Sequence, residues 1–181
     1  MLRLRNYQPG DFEALFKIDR QCFDPGIAYS RSELQSHIQR KHSFCIVAEA
    51  SAASEEAKPN APDQAPSNTP AAASQVGDPA TASRNHKIAG FIVVELRPEG
   101  YGHIITIDVL PQYRRHHLGT RLIEAAEKRV RELDGFMMVL ETAVNNTAAL
   151  SFYERHKYKV LRKLPRYYAN RIDALFLTKR L

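Results

Sequence analysis

The sequence holds 181 residues, of which 44% are apolar and 25% charged, with a net charge of +6. That length suits a single domain with an appendage and excludes a large multidomain machine; a bilayer-spanning run of about 20 apolar residues is missing. The two cysteines, Cys22 and Cys45, belong to no C-x-x-C pair, which argues against a disulfide scaffold or a cysteine zinc site and for reduced thiols in a cytoplasmic protein.

In chain order, Leu2–Asn6 reads as a short strand. The helical spacing of Phe12, Leu15, Phe16 and Ile18 predicts a helix from Asp11 to Cys22. A second helix starts at Ser30, where Glu33 completes a capping box, and runs to about Arg40. Phe44–Glu49 and Lys87–Leu96 are apolar enough for strands, the second one buried on both faces. Between them lie 36 residues, 51–86, with 10 Ala, 5 Pro and 5 Ser, and with Val76 the only apolar side chain larger than Ala. Such a segment cannot bury enough surface to offset the entropy of ordering, so it is expected to be disordered. Its net charge is −2, which leaves +8 on the other 145 residues. The flanking strands are expected to be hairpin neighbours, because stretching a 4-residue loop to this length costs only about 2 kcal/mol. A linker between two domains fails on size, since residues 1–50 are too few for a robust core.

The remainder alternates. Gly102–Val109 is a strand. Leu118, Leu122, Ala126, Val130 and Leu133 mark an amphipathic helix. Phe136–Thr142 is a strand, Thr147–Arg155 a helix, and Tyr158–Leu164 and Ala174–Lys179 are strands. The strand–helix–strand unit makes the strands at 103–109 and 137–142 parallel with a right-handed crossover, so the fold class is α/β with a mixed sheet.

The passage from Val109 through Pro111 to Thr120 ends a strand and opens a helix through the basic run Arg114-Arg-His-His117. A helix start offers free N–H groups and the positive end of the dipole, which favour phosphate. Two readings stand at this level: a phosphate cradle, with Gly119 permitting close backbone approach, or a solvated basic helix start. Neither G-x-x-x-x-G-K-[ST] nor G-x-G-x-x-G is present, and the seven histidines show no metal spacing, so no metal is expected.

The run V-x-P-x-Y-R-R, a turn, and L-G-T-x-L entering a helix resembles the acetyl-CoA pyrophosphate motif of the GNAT superfamily of N-acetyltransferases. The stretch Val139-Leu-Glu-Thr-Ala-Val-Asn-Asn-Thr-Ala-Ala-Leu-Ser-Phe-Tyr153 resembles that superfamily's second motif. Within the superfamily, this run and Arg166-Tyr-Tyr168 before Asp173 look most like the RimI type, which acetylates protein N-termini, notably the N-terminal alanine of a ribosomal protein. The resemblance covers residues 1–50 and 87–181. It implies a single N-acetyltransferase domain over 1–181, interrupted by the insert, with a mixed central sheet of about seven strands flanked by about four helices. It implies acetyl-CoA as co-substrate and no membrane partner. Two family glycines are replaced: His117 stands at the first Gly of the turn, and Lys157 at the Gly that ends the second-motif helix. The Trp often found near Cys22-Phe-Asp-Pro25 is absent, for the chain has no Trp.

Acyl transfer from a thioester to an amine needs a deprotonated amine, a stabilised oxyanion and a protonated leaving thiolate. Glu141, at the end of a core strand, is the candidate base; the bland alternative is a carboxylate ion-paired with a nearby basic group. His103, on the neighbouring strand, is the runner-up. By the resemblance Tyr153 faces the thioester sulfur as general acid, and as a phenol it is protonated at neutral pH. The resemblance also implies that the two parallel strands splay, leaving backbone of Ile107, Asp108 and Val109 to pair with the pantetheine arm and supply an oxyanion donor. It implies that Arg115, His116, His117, Leu118, Gly119 and Thr120 hold the pyrophosphate. Asn146 is expected to cap its helix and lie near the cofactor. Arg166, Tyr167 and Tyr168 are expected either to form a lip over a peptide or to be plain loop residues. Two other functions remain open: acetylation of lysine, polyamine or a small-molecule amine, and a basic ribosome- or RNA-binding module with a degraded cofactor site. From Glu154 to the end the chain carries nine Lys/Arg and two acidic residues, which disfavours a polycationic acceptor.

Overall fold

The structure is a computed structural model that describes residues 2–50, 87–168 and 171–181. The elements run β1 (Leu2–Asn6), α1 (Phe12–Cys22), α2 (Arg31–Gln39), β2 (Ser43–Ala50), β3 (Lys87–Arg97), β4 (Tyr101–Val109), α3 (Leu118–Glu132), β5 (Met137–Ala143), α4 (Thr147–Arg155), β6 (Lys159–Leu164) and β7 (Ala174–Arg180). The strands form one seven-stranded sheet in the order β1-β2-β3-β4-β5-β7-β6. Neighbours are antiparallel except β4 and β5, which are parallel as the α3 crossover requires. The predicted capping box at α2 is present: Ser30 Oγ accepts the Glu33 N–H, and the Glu33 carboxylate accepts the Ser30 N–H.

β2 and β3 pair directly, from Ser43↔Glu95 to Ala50↔Lys87, so the two strands flanking the 51–86 segment are hairpin neighbours. The reading of that segment as disordered lies outside the described residues. The two-residue period of a strand divides the core into two layers. Phe44, Ile46 and Ala48 of β2 face Leu118, Leu122, Ile123, Ala126 and Val130 of α3. Cys45 and Val47 face Phe12, Leu15 and Ile18 of α1 and Leu34 and Ile38 of α2. The central strands are therefore covered on both sides, which accounts for their nearly unbroken apolar runs.

One charged residue sits on the apolar face of α3. Glu127 is buried and is held by two contacts from Lys179 Nζ, at 2.6 and 2.7 Å, and by the Tyr158 hydroxyl at 3.1 Å. This network ties α3 to β7 and to the chain leaving α4.

Candidate active site

The site begins where two strands part. β4 and β5 are bridged only at Tyr101↔Met137, Gly102↔Met138 and His103↔Val139. Beyond that point β4 continues against β3 as far as Gly90↔Val109, and β5 continues against β7 as far as Ala143↔Ala174. Each strand therefore turns an edge unpaired with the other into the opening. The parting coincides with a bulge, because Val93 pairs with Thr106 and Val94 with Ile104, leaving Ile105 extra. Bulges bend a strand and increase its twist. The carbonyl of Ile105 is taken by the Tyr29 hydroxyl at 3.2 Å. Of the three residues predicted to line the gap, Ile107 and Val109 are half-buried and Asp108 is buried. The Val109 carbonyl is already occupied, by Arg114 Nε at 2.9 Å and by the Cys22 thiol at 3.5 Å.

After Val109 a short 3-10 turn, Pro111–Tyr113, leads to the start of α3. Arg115 and His117 both have positive φ, 61° and 57°, and His117 is the N-cap residue with no side-chain cap bond. The first helical closure recorded there is the Arg121 N–H on the His117 carbonyl at 3.0 Å. The N–H groups of Leu118, Gly119 and Thr120 precede that closure and have no partner within the helix. Arg115, His116 and His117 are exposed beside them, while the Leu118 side chain is buried in the core. This is an uncapped N-terminus of a 15-residue helix ringed by basic side chains, suited to a phosphate group. Gly119 also has a packing reason: a Cβ there would lie 3.2 Å from Phe152 Cε2, so its bare Cα admits the Phe152 ring of α4. Thr120 Oγ1 meets His156 Nε2 at 3.2 Å.

On the other strand, Glu141 Oε2 and His103 Nε2 lie 2.6 Å apart, so the two candidate bases are partners rather than rivals. Both side chains are mostly buried, at 15 and 19% exposure. Three tyrosines stand close enough to feel the Glu141 charge. Burial pushes the Tyr29 hydroxyl well above the usual phenol range, with Tyr167, Tyr168, Asp19 and Glu141 adding to it. Burial pushes Tyr168 up to about 12, with Tyr167 and Glu141 contributing, and Tyr167 is raised by the same causes of burial and Glu141. The Tyr167 and Tyr168 rings meet edge-to-face at 5.1 Å. The Arg166 N–H donates to Asp173 Oδ1 at 2.7 Å, and Lys163 pairs with Asp173, which fixes the loop carrying these rings.

Tyr153 is buried on α4, edge-to-face with Phe152 and Tyr158. Burial, then the charges of Asp108 and the neighbouring Tyr168, hold its phenol above its ordinary range, so it stays protonated. Its hydroxyl makes no hydrogen bond to another described residue. Asn146 caps α4 as expected, its Oδ1 accepting the Ala149 N–H at 3.1 Å. Lys157 adopts φ 67°. Its N–H reaches the Glu154 carbonyl at 2.9 Å and the Tyr158 N–H reaches the Tyr153 carbonyl at 3.0 Å, so the left-handed cap is formed without glycine. Among the described residues no group of three or more His, Cys, Asp or Glu side chains is placed to hold a metal. No helix among them is long and apolar enough to cross a membrane.

Asp19 and Tyr29 were not singled out from sequence, although both reach the splayed end of β4. Asp19 carries a usable signal, because it falls in the apolar stripe Phe12, Leu15, Asp19, Cys22 where a solvated carboxylate has no place. Tyr29 lies in a connecting loop, where no periodicity marks it.

A family model described as Acetyltransferase (GNAT) family matches residues 12–158. The N-alpha-acetyltransferase of Sulfurisphaera tokodaii is 36% identical over 77 residues, 42% of this chain and 46% of that protein. N-alpha-acetyltransferase 30 of Homo sapiens is 40% identical over 76 residues, 42% of this chain and 21% of that protein. The chain thus spans about half the length, or less, of such curated relatives. Among solved structures, the ribosomal-protein alanine N-acetyltransferase of Escherichia coli superposes with a TM-score of 0.72 at 17% identity, covering 99% of this chain and 94% of that one. A NatC complex bound to Gag peptide and CoA superposes at 0.70 and 22% identity, covering 99% and 98%. At such identities the likeness shows the fold.

Proposed function

The chain belongs to the acetyltransferase (GNAT) family, and from that premise we propose that it transfers the acetyl group of acetyl-CoA to the α-amine of a protein N-terminus. An N-terminal alanine of a ribosomal protein is the acceptor that the RimI-like motifs suggest, in a single cytoplasmic domain. The observation that carries the reading is the Glu141–His103 pair at the fork of β4 and β5, with three tyrosines within reach of the Glu141 charge. Support for the class of acceptor comes from relatives named for N-alpha-acetylation.

The residues present fit acetyl-CoA. The uncapped start of α3, with Arg115, His116 and His117 beside the N–H groups of Leu118, Gly119 and Thr120, suits a pyrophosphate. The edge of β4 released by β5 at Ile107–Val109, apart from the occupied Val109 carbonyl, suits an extended amide arm, and Asn146 stands at the start of α4. When bound, the donor supplies an activated acetyl thioester. Glu141 receives the proton of the attacking amine, and His103 fixes the orientation of its carboxylate. An α-amine with an ordinary pKa of about 8 asks little of such a base. A main-chain N–H on the free edge of β4 donates to the developing oxyanion. Tyr153 gives its proton to the departing sulfur, the phenol being held protonated by burial.

Mass spectrometry of peptides incubated with the protein and acetyl-CoA tests this reading. A peptide with a free N-terminal alanine and no lysine is expected to gain one acetyl group. A peptide whose only amine is lysine is expected to stay unmodified. Modification of the lysine peptide alone would move the acceptor to side-chain amines.

A further inference from the structure

Beneath the splayed end of β4, apart from the Glu141 cleft, two carboxyl groups are buried in each other's field. Asp19, on the last turn of α1, has no exposed surface, and Asp108 on β4 is 1% exposed. Asp19 Oδ2 accepts the Tyr29 N–H at 2.9 Å, and Asp108 Oδ2 accepts the Thr106 hydroxyl at 2.8 Å. The Oδ1 atom of each is buried and has no hydrogen-bond partner among the described residues. The groups facing Asp108 are Asp19 and Cys22 from α1, Thr106 on its own strand, Arg114 from the following loop, Tyr153 from α4 and Cys45 from β2. Those facing Asp19 are Arg20 on its own helix, Tyr29 through both its N–H and its hydroxyl, and Asp108. Among the described residues Arg114 is the sole cation facing Asp108 from another segment, and its Nε is committed to the Val109 carbonyl. Two ionised carboxylates are not sustained in so dry a setting; one of them keeps its proton.

The pair sits at a junction. Asp19 anchors the Tyr29 main chain, the Tyr29 hydroxyl donates to the Ile105 carbonyl, and the Cys22 thiol donates to the Val109 carbonyl. Those contacts seat the end of α1 and the segment leading to α2 on the bulged part of β4. Tyr29 is also one of the tyrosines that feel Glu141.

We propose that Asp19 and Asp108 form a one-proton clamp that seats Tyr29 on the acceptor side of the Glu141 cleft, which makes both of them positioning residues for the transfer reaction. The kinetic part rests on the proposed acetyl transfer; the clamp itself does not. Burial, reinforced by Asp19, pushes the Asp108 carboxyl up to about 8, and burial pushes Asp19 up to about 6 against the pull of the Tyr29 N–H and Arg20. Near neutral pH Asp108 therefore holds the proton. Above about 8 both groups are charged, they repel across the junction, and Tyr29 loses its seat. The sign for stability is the reverse of an ion-paired carboxylate. An aspartate in the unfolded chain ionises near pH 3.9, so a proton is taken up on folding between that pH and the folded value, and the stability it brings falls across that window and is fully lost once pH has passed the folded value.

The test uses the full chain and Asp108→Asn, which keeps the shape and cannot ionise. Melting temperatures are followed from about pH 6 to about pH 9. The wild type is expected to lose stability relative to the variant steadily from about pH 6 to about 8, and the two curves to run parallel above that. Parallel curves between about pH 6 and about 8 overturn the clamp whether or not the protein acetylates anything. In kinetics with an N-terminal alanine peptide, the ratio of wild-type to variant acceptor KM cancels the acceptor's own ionisation. It is expected to rise about tenfold per pH unit above the Asp108 value, while the same ratio for acetyl-CoA stays flat. A flat acceptor ratio, or an equal rise for both substrates, overturns the positioning role. If no peptide is acetylated, the melting curves still decide the clamp, and the functional reading falls by itself. If Asp108→Asn does not fold, Asp19→Asn takes its place: it is expected to flatten the loss of stability between about pH 6 and about 8, and an unchanged loss overturns the pair.

Discussion

Single residues carry most of the chemistry and also most of the cost. Lys157 and His117 stand in the left-handed region, at φ 67° and 57°, where a side chain is strained and glycine is not. The capping bonds around Lys157 are nonetheless made, so the strain is borne rather than avoided. Lys157→Gly is expected to raise stability by about 1 kcal/mol, read as a shift in the denaturant midpoint at unchanged slope. A midpoint that falls would mean that the lysine side chain contributes something the cap geometry does not reveal. At this scale the sequence was legible unevenly. Asn146 and Ser30 announce their caps by residue type and spacing, because capping is a local interaction. Glu141 and Tyr153 stand out through their motif alone, since no local rule tells a catalytic phenol from a core one. The Glu141–His103 contact joins residues 38 apart and exists only once β4 and β5 lie side by side.

Elements set where these residues meet. Strand and helix positions were readable because burial imposes periods of two and 3.6 on the chain. What the pattern hides is the charge inside: Glu127 occupies a core position of α3 because Lys179 and Tyr158 arrive from the far end of the chain. Among the described residues, Lys179→Ala leaves that buried carboxylate only Arg131, at 3.9 Å, for a counter-ion. It is expected to cost about 3 kcal/mol, measured by chemical denaturation. A loss under half that size would show that the pair adds little. The β2–β3 hairpin makes a further demand. Ala50 pairs with Lys87, so a two-residue Asn-Gly turn can replace residues 51–86 and join the strands directly. That shortened chain is expected to keep its melting temperature to within a few degrees and to keep its acetyl-transfer rate. Loss of folding would mean that the segment takes part in the fold.

For the molecule as a whole, one break in one sheet opens the proposed site. The single parallel contact, held for three residue pairs and then released, leaves an edge of β4 open on the side where α3 presents its uncapped start. Helices α1 and α2 cover one face and α3 the other. The parting was expected from family resemblance; its cause, the extra residue Ile105 in β4, leaves no trace in the hydrophobic pattern. The central claim is that transfer takes place in this fork, between Glu141 and Tyr153. Steady-state turnover of an N-terminal alanine peptide by Glu141→Gln and by Tyr153→Phe, with acetyl-CoA affinity measured alongside, tests it most directly. Each variant is expected to lose about 100-fold or more in kcat, with acetyl-CoA binding nearly unchanged. Wild-type turnover in both variants would contradict the account.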